Sequence, residues 1–282
     1  MLGRARRFLG VVALAAAALG VVPAPAAAGG DGGGTCRLPR FGPGPSYHPR
    51  IDPDDFSPDV TNPWFPLTPG RTLVYAGTKD GRRALDLFAP SRRTRVVGGV
   101  RARVVEDRLY LDNVLEERTS DYYAQDRCGN VWYFGEDTAT LDRHGNVVDT
   151  EGSWHAGVDG ARPGVFMQAH PQLGRRFRQE WYQGQAEDVF KVIDRSAAVT
   201  VPYGSFGHAL RTAEWTALEP AVLDNKLLRP GRRRGRRAVG QGPARSPEAG
   251  RGHLLSPRQN ASSRRVALAA LRSAPATASS IG

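Results

Sequence analysis

Acidic residues beside aromatic ones are the first feature of this chain that could do chemistry. Glu136 and Asp137 follow Trp132-Tyr133-Phe134, Glu180 precedes Trp181-Tyr182, and Glu187-Asp188 follow a Gln-Gly turn. A carbohydrate cleft needs this combination: apolar ring faces to stack on a sugar and two carboxyls to exchange protons. Glu136, Glu180, Glu187 and Asp188 are therefore the candidate catalytic residues. The same composition also describes a strand with an exposed acidic face and a buried aromatic one. Sequence spacing does not give the carboxyl separation that would decide between them.

Other chemistries find less support. Gly152-Ser153-Trp154-His155 and Gly204-Ser205-Phe206-Gly207 lack the G-x-S-x-G spacing of a nucleophile elbow, so both serines read as structural. His144, His155 and His170 have no paired short spacing, and Cys128 adds one thiol, so neither a metal nor a cofactor is expected. The glycines of residues 29–34 have no strand before them and no helix after them, and read as a linker. Residues 151–174 form a long connection with five glycines, two prolines, Trp154, His155 and Met167. A connection of that length predicts a cover over a binding site. Trp154, His155 and Met167 are accordingly assigned to ligand binding, with Trp132 and Tyr133 in the sheet beneath.

The elements that must position these residues read as β-structure. Nine prolines lie between Cys36 and Gly70, which excludes helix and predicts an extended arm. Residues 29–70 are thus a Gly/Pro-rich linker and arm, and residues 71–228 an antiparallel β-domain. Alternating runs begin at Arg71-Thr72-Leu73-Val74-Tyr75, and turns are expected at Lys79-Asp80-Gly81 and Gly98-Gly99. Asp126-Arg127-Cys128-Gly129-Asn130-Val131 recurs as Asp142-Arg143-His144-Gly145-Asn146-Val147, two copies of a tight-turn code. Further strand-like runs cover residues 176–182, 187–194, 198–202 and 208–215. The expected fold is mostly β: an antiparallel meander forming a curved sheet or half-open barrel, with an extended Pro-rich N-terminal arm.

Both ends differ from this body. Residues 1–28 have a basic start, an apolar run and a small-residue end, the pattern of a secretion signal. Cys36 lies well beyond the apolar run, so a secreted protein is expected rather than a lipoprotein. In an exported chain the only two cysteines, Cys36 and Cys128, are expected to pair, closing a loop worth about 4–5 kcal/mol in the chain-entropy picture. The formal net charge is +11, and residues 229–282 hold twelve arginines against the single acid Glu248. The basic character therefore belongs to a tail, which predicts disorder there and removes the reading of the folded domain as nucleic-acid binding.

Several motifs resemble an uncharacterised family of exported bacterial β-sheet proteins. They are Asn62-Pro63-Trp64-Phe65-Pro66-Leu67, Tyr123-Ala124-Gln125-Asp126 with Gly129-Asn130-Val131-Trp132-Tyr133-Phe134-Gly135-Glu136-Asp137-Thr138, Gly152-Ser153-Trp154 through Asp159-Gly160, and Val201-Pro202-Tyr203-Gly204. The resemblance covers residues 55–227 and implies a β-sheet domain behind a leader, without an activity. It also implies a final strand reading Tyr-Ala-Pro-Gly-Val-Gly-Val after Lys226, where this chain has Leu228-Arg229-Pro230-Gly231-Arg232. A one-base shift of suitable synonymous codons converts one reading into the other, so the tail is also a candidate frameshift product. The function expected first is an exported, non-enzymatic β-domain binding an apolar or amphipathic ligand or an envelope partner. A carbohydrate-active hydrolase is the alternative, and binding of an anionic polymer by the arginine-rich tail a third.

Overall fold

The computed structural model describes residues 37–201 and 204–230, with the backbone of residues 270–272. Residues 1–36, where the leader and linker are expected and Cys36 lies, and most of residues 231–282 lie outside the described residues. The protein is mostly β, 58% strand against 3% helix, and its main sheet curls through 232° into a half-barrel. No helix among the described residues is long and apolar enough to cross a membrane.

The main sheet begins with an antiparallel meander: β2 (Leu73–Lys79), β3 (Arg82–Val97), β4 (Val100–Leu111), β5 (Val114–Asp126) and β6 (Val131–Leu141). These follow one short strand of the arm, β1 (Phe56–Ser57), which pairs with the end of β5. Three short strands then pair with β6: β7 (Val147–Asp149), β8 (Trp154–His155) and β9 (Arg162–Met167). A second sheet holds β10 (Arg176–Arg178), β12 (Asp188–Val201), β13 (Gly204–Thr216), β14 (Asp224–Leu228) and β15 (Ala270–Arg272), while the two-residue β11 (Glu180–Trp181) returns to β9.

Turn chemistry explains the meander. The two copies of the Asp-x-x-Gly-Asn code fold alike: Asp126 Oδ1 accepts from the N–H of Cys128 and Asn130, and Asp142 Oδ1 from the N–H of His144 and Asn146, all at 2.8–3.0 Å. Gly129 and Gly145 take the left-handed φ that closes each turn. The β4–β5 turn at Asp112-Asn113 was not singled out in the sequence. Both residues have positive φ, a conformation that Asp and Asn tolerate better than other side chains.

One expectation needs correction. Residues 151–174 are not an unpatterned cover, because β8 and β9 lie within them and extend the main sheet from β6. Their strand character was hidden because β8 has only two residues and β9 contains Pro163 and Gly164. Within the segment expected to be disordered, Ala270–Arg272 pairs antiparallel with β14, and the rest of it beyond Pro230 lies outside the described residues. No described cysteine is free.

The arm is held by buried polar anchors. Asn62 is 2% exposed; its Nδ2 donates to the carbonyls of Gly129 and Gln168, and its Oδ1 accepts from the N–H of Trp64 and Phe65. Gln125 Oε1 accepts from the N–H of Thr61 and Asn62, and Arg162 Nη1 donates to the Tyr47 carbonyl at 2.6 Å. Phe56 packs edge-on against Trp132 and Phe134, while Phe65 packs on Phe88, Tyr123 and Phe166. Asn62→Ala orphans several of these groups, and a loss of roughly 1–3 kcal/mol is expected. A lower urea midpoint, with cleavage of the arm by protease at denaturant concentrations the parent resists, checks it.

Candidate functional site

The site is the concave face of the half-barrel, and strand register brings it together. Tyr75, Asp86, Leu109 and Glu117 lie opposite one another in successive strands β2 to β5. The next row joins Phe88, Asp107, Thr119 and Thr138 across β3 to β6. The third joins Val105, Asp121, Glu136 and Trp154 across β4, β5, β6 and β8. The hydroxyls of Thr119 and Thr138 meet at 2.8 Å, as side chains on one face must.

A bulge in β6 gives this face its chemistry. Tyr123 pairs with Tyr133, but Tyr122 pairs with Gly135, so an extra residue is inserted and both Tyr133 and Glu136 point inward. Gly135 has φ +141°, and a Cβ there would stand 2.3 Å from the Trp154 carbonyl, so only glycine lets β8 approach. Gly164 does the same for β11: its Cβ would stand 2.3 Å from the backbone of Gln179, next to Glu180.

Acids from both sheets converge inside. Burial raises Glu136 well above the ordinary carboxyl range, and the charges of Asp121, Glu180, Glu117 and Asp188 add to it. Glu180, 7% exposed, is raised in the same way by burial and then by Asp188; the Trp154 indole and Lys226 act against this. Asp107 is pushed up to about 10 by burial and then by the Asp86 carboxyl beside it. Asp121 rises to about 7 through burial, although its Oδ1 accepts the Tyr133 hydroxyl at 2.7 Å, and Asp188 rises to about 6 for the same first reason.

A lysine sits among them. Lys226 on β14 pairs with Glu214 of β13, and its Nζ lies 5.5 Å from the centre of the Phe166 ring. Burial works against its charge, but Glu214, Asp188 and Asp224 together raise its pKa. Its side chain is still 39% exposed, so the concavity is open to water. Tyr123 and Tyr133 stack with centroids 4.7 Å apart, and Phe166 meets both, forming an aromatic wall.

The sequence candidates separate on this geometry. Glu136, Glu180 and Asp188 belong to the concavity, with Tyr133 and Trp154, whose rings meet edge to face at 5.4 Å. Glu187 does not join them, because its Oε1 caps the turn at the Gly184 N–H. Trp132 lies on the opposite face from Tyr133, its Nε1 donating to Asp126 Oδ2 at 3.0 Å beneath the arm. His155 also faces outward: its Nε2 lies 2.9 Å from Asp137 Oδ1, in a convex network with Arg95 and Tyr122. Burial pushes the Asp137 carboxyl up, but the Tyr122 hydroxyl, Arg95 and His155 hold it below the usual range overall. Met167 is 2% exposed in the core, and Trp154 at 3% is a core residue rather than a mobile cover.

Asp86, Asp107, Glu117, Asp121, Glu214 and Lys226 were missed. The available signal was the pairing of strands: polar residues at every second position of β5, Glu117, Thr119 and Asp121, mark a polar inward face. No group of three or more metal-ligating side chains is found among the described residues. No protein-family profile, curated protein or solved structure matches this chain.

The raised carboxyls fix how stability varies with pH. Glu180 ionises near the ordinary carboxyl value when unfolded, and burial in the fold raises its pKa well above that. The folded state therefore binds more protons above about pH 4.3, and stability falls as pH rises, by up to about 1.4 kcal/mol per pH unit for each such group. Glu180→Gln imitates the protonated acid without titrating. Its melting temperature should exceed the parent's at pH 8 and converge with it near pH 4, as read by thermal denaturation across that range.

Proposed function

We propose that this chain is an exported, non-enzymatic β-domain that binds an amphipathic ligand in the concavity of its half-barrel, a small molecule or the exposed part of an envelope component. The observation that carries this reading is the mixed lining. Phe65, Phe88, Tyr123 and Phe166 pack together on the concave side, and Asp121, Glu136, Glu180 and Lys226 adjoin them. An apolar body fits against the rings, and a polar head meets the acids. The leader-like residues 1–28 and the even cysteine number support export, with Cys36 and Cys128 oxidised to one disulfide.

The hydrolase reading is favoured by one observation, the Glu180 charge being among the causes that raise Glu136. Two carboxyls that act on each other in an open cleft are the acid–base requirement of glycoside cleavage.

Uptake of the neutral dye N-phenyl-1-naphthylamine tests the binding reading. Saturable fluorescence enhancement is expected, and Phe166→Ala should weaken it roughly 3- to 10-fold with unchanged far-ultraviolet circular dichroism, the loss of one aromatic contact. Absence of saturable uptake counts against an apolar compartment. Turnover of an aryl glycoside that Glu180→Gln abolishes replaces the binding reading by the hydrolase. For the disulfide, intact mass of the secreted protein should rise by two hydrogens on reduction, and an unchanged mass excludes the pair.

A further inference from the structure

The interior acids also restrict what the ligand's polar head can be, an inference that rests on the binding reading above. Asp121 is 6% exposed; its Oδ1 is satisfied by Tyr133, but its Oδ2 is buried with no hydrogen-bond donor. A carboxyl oxygen left in this state lacks the partner that would offset its burial. The indole of Trp154, itself 3% exposed, faces Glu180 and favours that acid's charged form. Both groups lie in the row that joins β5, β6 and β8.

Lys226 demonstrates how a cation is held here. Its ammonium takes a carboxylate from Glu214 and the face of Phe166, the two contacts that select organic ammonium groups. Around that charge, acids project from β3 (Asp86), β4 (Asp107), β5 (Glu117, Asp121), β6 (Glu136), β11 (Glu180), β12 (Asp188) and β14 (Asp224), and Tyr75 faces them from β2 with the Arg71 charge close to it. Burial and the neighbouring acids favour the protonated form of several of these carboxyls. We infer that the concavity selects an organic cation, a primary ammonium or guanidinium group on an apolar body, and seats its charge at Asp121, Glu136 and Glu180 in exchange for protons. The exchange balances in charge: a carboxylic acid gives its proton to solvent, and the carboxylate left behind pairs with the incoming cation.

Affinity for such a head rises with pH through the range in which Asp188 and Asp121 lose their protons, about 6 to about 7. The test uses the full chain with octylamine as the cation, octanol as the neutral control and octanoate as the anionic one, followed by titration calorimetry. Octylamine should bind about tenfold more tightly at pH 8 than at about pH 5.5, and about tenfold more tightly than either control at pH 8. Its apparent binding heat should vary with the ionisation enthalpy of the buffer, reporting proton release. Asp121→Asn should lose at least about fivefold in octylamine affinity and most of the pH dependence, whereas Asp137→Asn on the convex face should lose neither. Glu136→Gln supplies the same readout should Asp121→Asn not fold. Octanol binding as tightly as octylamine at every pH overturns the cation assignment and leaves the ligand site standing. Saturable binding of none of the three overturns both.

Discussion

The close approach of two backbones at Gly135 is the constraint on which the concave face depends. β6 pairs with β5 on one side and with β7, β8 and β9 on the other, and at Gly135 it has no room for a side chain. The inserted residue breaks strict alternation there, so an aromatic phenol and a carboxyl three positions apart share one face. Without it, Glu136 would join Arg95 and His155 on the convex side. Trp154 would have no register in which to sit beside it.

The electrostatics follow from this geometry. Curling a sheet through most of a turn brings side chains from distant strands together, and here those side chains are mostly acids. Their mutual repulsion in a confined space adds to burial in raising the pKa of Glu136, Glu180 and Asp107, and is eased where Tyr133 donates to Asp121 and Lys226 supplies positive charge. Residues that suit a stable core have been replaced by ones that raise its energy, a pattern characteristic of binding and catalytic sites.

Much of the fold was legible in the residue pattern. The prolines announced the arm, and the Asp-x-x-Gly-Asn copies announced two hairpins, because the chemistry of both is local. The strands within residues 151–174 were not legible, since their pairing depends on Gly135 and Gly164 admitting a neighbouring backbone, a tertiary fact. For the site, Glu136, Glu180 and Asp188 were visible as acids near aromatics. Glu187 carried the same signal and spends it on a turn. Trp132 and His155 face away because each is the immediate neighbour of an inward residue, Tyr133 or Trp154, and plain alternation puts it on the opposite face. Lys226 and Asp107 come from strands remote in sequence, and nothing local marks them as neighbours.

The anchors of the arm have a consequence for time rather than for stability. The Tyr47 hydroxyl reaches a carbonyl 116 positions later, and Gly42 receives its hydrogen bond from Arg178, 136 positions later. Residues that leave the ribosome first therefore find their partners only when most of the chain has followed. Until then the convex patch around Phe134 lies bare, and the arm has nothing to fold against. Contacts this distant in sequence form slowly, so arm docking belongs to the end of folding. The segment that looks like a leader-proximal spacer thus acts as the closing step, and the interval before it is when the growing sheet is most open to mispairing.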